Sequence, residues 1–187
     1  MTRGEALRDR TAAAIVDSAA AVLADRGDAA SMEEIAHAAG ISRATIYRYF
    51  PSREELLRAM AAASVNELVD RVSEAGLGAL PVEEAVARLA RAIIATGSKY
   101  AALDLDSGRL AEAYPELDTE VVEPIRALFR RAIADGSLRS DLSSEVLMNL
   151  FSGLIKGALA AVASGRQGVE EAAAAVTTVF VHGAKAP

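Results

Sequence analysis

The segment from Ser31 to Ser42 allows very few backbone arrangements. Ser31 and Glu34 have the spacing of a capping box, in which the hydroxyl and the carboxylate each satisfy a free backbone N–H at a helix start. Gly40 stands where a residue of positive φ ends such a helix, and Ser42 is a favourable N-cap for the next one. The pattern therefore predicts two short helices, one from Ser31 to Ala39 and one starting at Ser42, joined by about three residues.

Helical patterns also cover most of the remaining chain, and we expect an all-α fold. The composition is 52% apolar and rich in alanine and leucine, and it contains few residues that favour strands. One or two short helices are expected between residues 97 and 117. The other predicted helices run from Thr11 to Arg26, Ser52 to Ala75, Val82 to Thr96, Val121 to Asp135, Ser143 to Ser164 and Val169 to Val181.

The charge of the chain is unevenly distributed. The net charge is −6, which taken alone argues against a nucleic-acid partner. Residues 42–58, however, contain four arginines and only two glutamates. A local positive patch is therefore available on and just after the second of the two short helices.

Two short helices joined by a tight glycine turn are typical of a helix-turn-helix, whose second helix can enter the major groove of DNA. Helical spacing places Ile46 and Phe50 on the side that packs inward. The outward side carries Ala44, Thr45 and Arg48, with Tyr47 and Tyr49 on its flanks. Arginine can read guanine or bind phosphate, the threonine methyl can contact thymine, and the backbone N–H groups near Ser42 and Arg43 can bind phosphate.

The sequence "SMEEIAHAAGISRATIYRYFPSREELL" resembles, nearly position by position, the DNA-binding domain of the TetR family of bacterial transcriptional regulators. The resemblance covers about residues 10–58. It implies a DNA-binding role for two groups of residues. Arg43, Ala44, Thr45, Arg48 and Tyr49 would face bases or adjacent phosphates, and Ser31, Tyr47 and Arg53 would anchor the DNA backbone.

The division of the chain into two domains follows from these patterns. Residues 1–58 would form the helix-turn-helix DNA-binding domain. Residues 59–187 would form a helical effector-binding and dimerisation domain, joined to the first by the long helix from Ser52.

The expected partners are a double-stranded DNA operator, a second copy of the chain and an unidentified small-molecule effector. The leading hypothesis is a dimeric, ligand-responsive regulator, in particular a repressor of a near-palindromic operator. The alternative is an all-helical protein-interaction module without specific DNA binding.

The two C-terminal helices carry more apolar surface than one neighbouring helix would cover, and we expect them to form a homodimer interface. Gly157 would allow a second helix to approach closely. The alternative is an ordinary core within one chain. The candidate interface residues are Leu150, Leu154, Gly157, Ala158, Ala161, Val176 and Val179.

A small-molecule cavity in the larger domain would be lined by large side chains. The candidates are Tyr100, Tyr114, Phe129, Met148 and Phe151, although large side chains in a helical domain more often form its core. The acidic character of this domain, about −5 over residues 59–187, favours neutral or cationic ligands over anions.

Enzymatic and metal-binding functions are poorly supported. The chain has no cysteine, and its two histidines have no carboxylate or second histidine at ligand spacing, so neither a metal nor a cofactor is expected. Motifs for a nucleophile or for nucleotide phosphates are also missing.

The first residues, "MTRGEALRDRT", lack the apolar core of a signal peptide. The longest charge-free apolar stretch is too short for a membrane span, so we expect a cytoplasmic protein.

Overall fold

The computed structural model describes residues 3–103 and 107–185, and within these ranges the regular structure is helical. The nine α-helices of the described part are α1 (Arg3–Arg26), α2 (Met32–Ala38), α3 (Arg43–Tyr49), α4 (Arg53–Glu74), α5 (Val82–Lys99), α6 (Ser107–Ala113), α7 (Glu123–Ala134), α8 (Ser144–Ala163) and α9 (Val169–Ala184). Short 3₁₀ turns occupy Gly27–Ala29 and Ala101–Leu103, and a π-helical turn, Asp118–Val122, leads into α7. The all-α prediction is confirmed.

Most predicted helix limits agree with the structure to within a few residues. The largest difference is at α1, which begins at Arg3 and not at Thr11. The first two turns of α1 are polar, and they lack the apolar periodicity that defined the prediction. Pro124 lies in the first turn of α7, where its missing N–H and fixed φ are tolerated, so it starts this helix and does not interrupt it.

The chain divides into two compact units. Unit 1 contains residues 1–65 together with residues 99–105, and unit 2 contains residues 66–98 and 106–187. Unit 1 therefore extends past the boundary expected after residue 58, and it also includes a segment that is distant in sequence.

The core of unit 1 is formed where α1, α2, α3 and the start of α4 pack together. Its fully buried side chains are Ile15, Ala19, Ile35, Ile46, Leu56 and Met60. Tyr100 belongs to the same core and is only 4% exposed. An ion pair between Lys99 and Asp17, at 2.9 Å, lies beside it. The segment around Tyr100 thus completes the hydrophobic core beneath the helix-turn-helix.

Unit 2 is organised around α8, which packs against α7 and α9. Three phenylalanines fill this core. The ring of Phe180 lies 5.2 Å from the rings of both Phe129 and Phe151, which are themselves 5.8 Å apart. Two of the three contacts are edge-to-face, a geometry that adds to the free energy gained by burial alone.

Helix α5 approaches α8 closely at a glycine. A methyl group placed on Gly97 would lie 2.8 Å from a terminal carbon of Leu159, closer than two carbons can pack. A larger residue at position 97 would therefore require the Leu159 side chain to move.

Candidate nucleic-acid interface

The start of α2 and the turn between α2 and α3 are fixed by local hydrogen bonds. The Glu34 backbone N–H donates to the Ser31 hydroxyl at 3.2 Å, and the Ser31 backbone N–H donates to the Glu34 carboxylate at 2.8 Å, so the predicted capping box is confirmed. Gly40 has a φ of 67°, a conformation that residues with a side chain adopt only with strain. The next residue, Ile41, donates its N–H to the Ala36 carbonyl at 3.0 Å. These bonds leave the turn little freedom.

The cap of α2 also shifts the pKa of the Glu34 carboxyl group. The pKa of Glu34 is lowered because its carboxylate accepts hydrogen bonds from the Ser31 backbone N–H and hydroxyl, and the nearby Arg26 guanidinium lowers it further. Glu34 is therefore charged over a wider pH range than an isolated glutamate, and its negative charge sits favourably at the helix N-terminus.

Helix α3 separates inward from outward side chains as its sequence predicts. Ile46 is fully buried and Phe50, at its C-cap, is 8% exposed. Arg43, Ala44 and Arg48 are exposed, whereas Thr45 and Tyr49 are half-buried. Tyr47 is 38% exposed and is one of the few large apolar side chains this accessible to solvent. The outward side of α3 is therefore cationic and aromatic, and most of its side chains are accessible to solvent.

The hydroxyl groups at the two helix starts already have partners. Ser42 accepts from the Thr45 backbone N–H at 3.2 Å, and the two hydroxyls lie 2.9 Å apart. The Ser31 hydroxyl donates to Glu34 at 2.9 Å. Ser31 and Ser42 thus use their hydroxyls to cap helices, and the Thr45 hydroxyl is engaged with that of Ser42.

The arginines predicted to contact DNA differ in their partners. Arg43 forms an ion pair with Glu33 of α2 and lies 5.7 Å from the centre of the Tyr47 ring. Arg53 donates to the Ala30 carbonyl and is 3.8 Å from Asp28. Arg48 has no carboxylate partner among the described residues, and its guanidinium lies 5.7 Å from the centre of the Tyr49 ring. Arg48 is consequently the cation of α3 that is immediately available to an external anion.

A further cation, Arg8 of α1, lies beside this surface, although no sequence pattern singles it out. Its guanidinium is 6.0 Å from the centre of the Tyr49 ring. The signal in the sequence was weak, because the polar run "EALRDRT" predicts helix only through its propensity.

The predicted ligand-lining residues are scattered. Tyr100 lies in the core of unit 1, and Phe129 and Phe151 lie in the phenylalanine cluster of unit 2, exposed by no more than 1%. Tyr114, which follows α6, and Met148 on α8 are half-buried. Of the five, Tyr114 and Met148 are the ones in unit 2 with accessible surface. Among the residues described, no group of three or more histidine and acidic side chains is placed to hold a metal.

The predicted interface residues fall on both sides of α8 and α9. Ala158 and Val176 are buried within the protomer, Leu154 and Ala161 are half-buried, and Leu150, Gly157 and Val179 are exposed. The exposed fraction is 53% for Leu150 and 59% for Val179. Methyl groups placed on Gly153 and Gly157 would meet no atom within 4 Å. We call the exposed set Val146, Leu150, Gly153, Gly157 and Val179 the α8–α9 outer face.

By length and composition, α8 is also the one helix in the described ranges that is apolar enough to cross a membrane, with a mean hydropathy of 1.7. Its charge-free apolar stretches are short because Glu145 and Lys156 interrupt its apolar residues. Only 22% of this stretch is buried inside the protomer. A core helix of a soluble protein passes the same test, so this observation is weak evidence for a membrane span.

The geometry of α2 and α3 defines the class of protein, a helix-turn-helix DNA-binding protein. Residues 15–60 match the family model described as bacterial regulatory proteins, tetR family. The chain is 31% identical to the HTH-type transcriptional repressor LfrR of Mycolicibacterium smegmatis, with coverage of 79% of this chain and 92% of the relative. The chain belongs to the TetR family of bacterial transcriptional regulators.

Two further comparisons extend this result. The HTH-type transcriptional regulator NfxB of Pseudomonas aeruginosa is 26% identical, with coverage of 92% of this chain and 94% of the relative. The crystal structure of the TetR-like regulator LfrR from Mycobacterium smegmatis in complex with proflavine superimposes with a TM-score of 0.71, at 27% identity, and covers 95% of this chain and 97% of that one. The similarity therefore includes unit 2 as well as the helix-turn-helix.

Proposed function

We propose that this TetR-family regulator is a repressor that binds a near-palindromic operator as a two-fold dimer and releases it in response to a small molecule. The observation that carries the DNA-binding part is the outward side of α3, where exposed Arg43, Ala44 and Arg48 stand next to exposed Tyr47. A seven-residue helix gains little fold stability from such an exposed surface, whereas a polyanion with readable base edges matches its chemistry.

The α8–α9 outer face supports the dimer. Apolar side chains as exposed as Leu150 and Val179 are costly in water, and two adjacent helical glycines without packing partners permit close approach of a second helix. A two-fold dimer places the same face of each chain against the other. To bind a near-palindromic operator, the two α3 helices of the dimer would be about one DNA turn apart, roughly 34 Å or a little more.

The DNA-binding proposal is tested by selecting bound sequences from a pool of random duplexes with the full chain. We expect a near-palindromic consensus, and binding to it should weaken steeply as salt concentration rises, because phosphate contacts release counterions. A protein-interaction module, the alternative function, would enrich no sequence, and its apolar contacts would be insensitive to salt. Failure to enrich any duplex would overturn the DNA-binding proposal.

The effector would bind in unit 2, beside the half-buried Tyr114 and Met148. The acidic character of residues 59–187 favours a neutral or cationic molecule. Proflavine is a suitable first probe, because the crystal structure of LfrR, a relative of the same fold, was determined in complex with it. To control operator binding, the effector must bind the free protein and the operator-bound protein with different affinities. The difference between the two binding free energies is typically about 1 to 3 kcal/mol.

Thermal-shift measurements with proflavine, followed by operator titration in its presence, test the effector proposal. We expect proflavine to raise the melting temperature and to weaken operator binding. A stabilised protein with unchanged operator affinity would contradict the regulatory role of the site.

The division of labour between the two parts of the chain belongs to the same proposal. The helix-turn-helix part reads the operator, and the part beyond it binds the effector and forms the dimer. A regulator of this type works where the chromosome is, in the cytoplasm, and it requires no catalytic group.

A further inference from the structure

Arg8 lies in the second turn of α1, in a segment that precedes the core of unit 1. It is exposed, and it stands four residues before Ala12 and seven before Ile15. Residues at these spacings share one side of a helix, and Ile15 is fully buried. Arg8 therefore continues the inward side of α1 past the end of the core, where its side chain reaches α3.

Tyr49 holds two guanidinium groups. The Cζ atom of Arg8 lies 6.0 Å from the centre of the Tyr49 ring, and that of Arg48 lies 5.7 Å from the same point. The ring is half-buried against the core of unit 1, so its position is fixed. A contact of this kind at an exposed site contributes only about 0.5 to 1 kcal/mol. It therefore positions the cations without neutralising them.

Four arginines on or next to α2, α3 and the start of α4 are paired with acids. Arg26 pairs with Glu34, Arg43 with Glu33, Arg53 with Asp28, and Arg58 with Glu54. Neither Arg8 nor Arg48 has a carboxylate partner in the described part of the chain. Two like charges held at one ring without a counterion raise the local positive potential, and an external anion lowers the free energy of this arrangement.

We propose that Arg8 binds the phosphate backbone of DNA beside α3, with Tyr49 holding its guanidinium next to Arg48. The inference rests on the proposed DNA-binding function and extends the binding surface to α1. The contact is to phosphate, because Arg8 projects from the first turns of α1, outside the helix that reads base edges. It strengthens binding to every sequence equally.

The test is the affinity of full-length Arg8→Ala for two probes, a duplex selected by the wild-type protein and a duplex of the same length with a scrambled sequence. We expect a loss of about tenfold for both, because each protomer loses one charge-assisted contact. The dependence of the logarithm of the affinity on the logarithm of salt concentration should flatten by about one unit per half-site.

Arg10→Ala is the matched control. Arg10 is exposed, lies two residues further along α1 and, within the described residues, also lacks a carboxylate partner. Two residues correspond to about 200° around the helix, so Arg10 faces away from Tyr49. Arg10→Ala should bind both probes nearly as well as the wild type. An equal loss in both variants would assign the effect to net charge and overturn the specific contact.

Variants at the ring test the positioning role. Tyr49→Phe keeps the ring and should retain the Arg8 contribution, whereas Tyr49→Leu removes the ring and should make the further substitution of Arg8 nearly neutral. Thermal melting of each variant without DNA separates loss of folding from loss of binding.

If the wild type binds DNA and Arg8→Ala binds equally well, the Arg8 proposal alone is wrong. If selection with the wild type enriches no duplex at all, the proposed function itself is overturned, and the Arg8 proposal with it.

Discussion

The exposed sides of α3 and α8 are both uncovered in the protomer, yet their chemistry is opposite. The outward side of α3 carries arginine and tyrosine, whereas the α8–α9 outer face carries leucine, valine and two glycines. The chemistry of each surface favours a different kind of partner, a polyanion for α3 and an apolar surface for α8. An uncovered surface thus indicates its partner by composition as well as by exposure.

The largest effect should come from placing a charge on the α8–α9 outer face. Leu150→Glu would bury a carboxylate against apolar side chains of the second protomer, at a cost of about 3 to 5 kcal/mol of dimer stability. Sedimentation should show a monomer at concentrations where the wild type is a dimer. Ala127→Glu, at an exposed position of α7, adds the same group elsewhere and should leave the dimer intact. A dimeric Leu150→Glu protein would place the interface on another surface.

The next largest effect should come from the free cation of α3. Arg48→Ala should weaken binding to the selected operator by about 1 to 3 kcal/mol and relax the preference at one base position, provided that Arg48 reads a base. Fluorescence anisotropy with single-base operator variants measures both quantities. Arg88→Ala, which removes a paired arginine from α5, is the control and should bind normally. Unchanged affinity and selectivity of Arg48→Ala would exclude Arg48 from the interface.

A smaller effect, of opposite sign, is expected at the acid that pairs with Arg43. Glu33→Gln should strengthen DNA binding by about 0.2 to 1 kcal/mol, because it releases Arg43 from an exposed ion pair and removes a negative charge near the DNA. Glu84→Gln, which breaks the pair with Arg88 in unit 2, should have no such effect. Weaker binding by Glu33→Gln would show that the ion pair orients Arg43 for the contact.

The smallest effect concerns the cap of α2 and its dependence on pH. The pKa of Glu34 is lowered in the folded protein by its hydrogen bonds to Ser31. The charged form therefore stabilises the fold above the pKa of an unfolded glutamate, and this contribution is lost as the pH falls through the lower folded value. Urea unfolding at several pH values should show a stability difference between wild type and Glu34→Gln that disappears in acid. A stability difference independent of pH would show that the charge of Glu34 adds nothing to the stabilising effect of the cap.

The sequence predicted those features of the helix-turn-helix that depend on neighbouring residues. The caps at Ser31 and Ser42, the positive φ of Gly40 and the burial of Ile46 follow from local hydrogen bonding and helical spacing, and each is present in the structure. Local rules are sufficient here because the turn is only a few residues long.

Features that depend on distant residues were not predictable in the same way. The pairing of Arg43 with Glu33 requires the packing of α3 against α2, and the contact of Arg8 with Tyr49 requires a helix start that had no apolar periodicity. The side of α8 that faces its own protomer also depends on where α7 and α9 lie, which is why Ala158 and Leu150 could not be separated from the sequence.

The position of Tyr100 has a consequence for how the protein is made. The core of unit 1 lacks the buried ring of Tyr100 until residues near position 100 have joined it, although the chain up to Val65 contains every helix of the helix-turn-helix. At a synthesis rate of about 5 to 20 residues per second, the ribosome takes roughly 2 to 7 seconds to pass from one to the other. During this interval the nascent helix-turn-helix has an incomplete core, so its final stability is reached only after most of α5 has been synthesised.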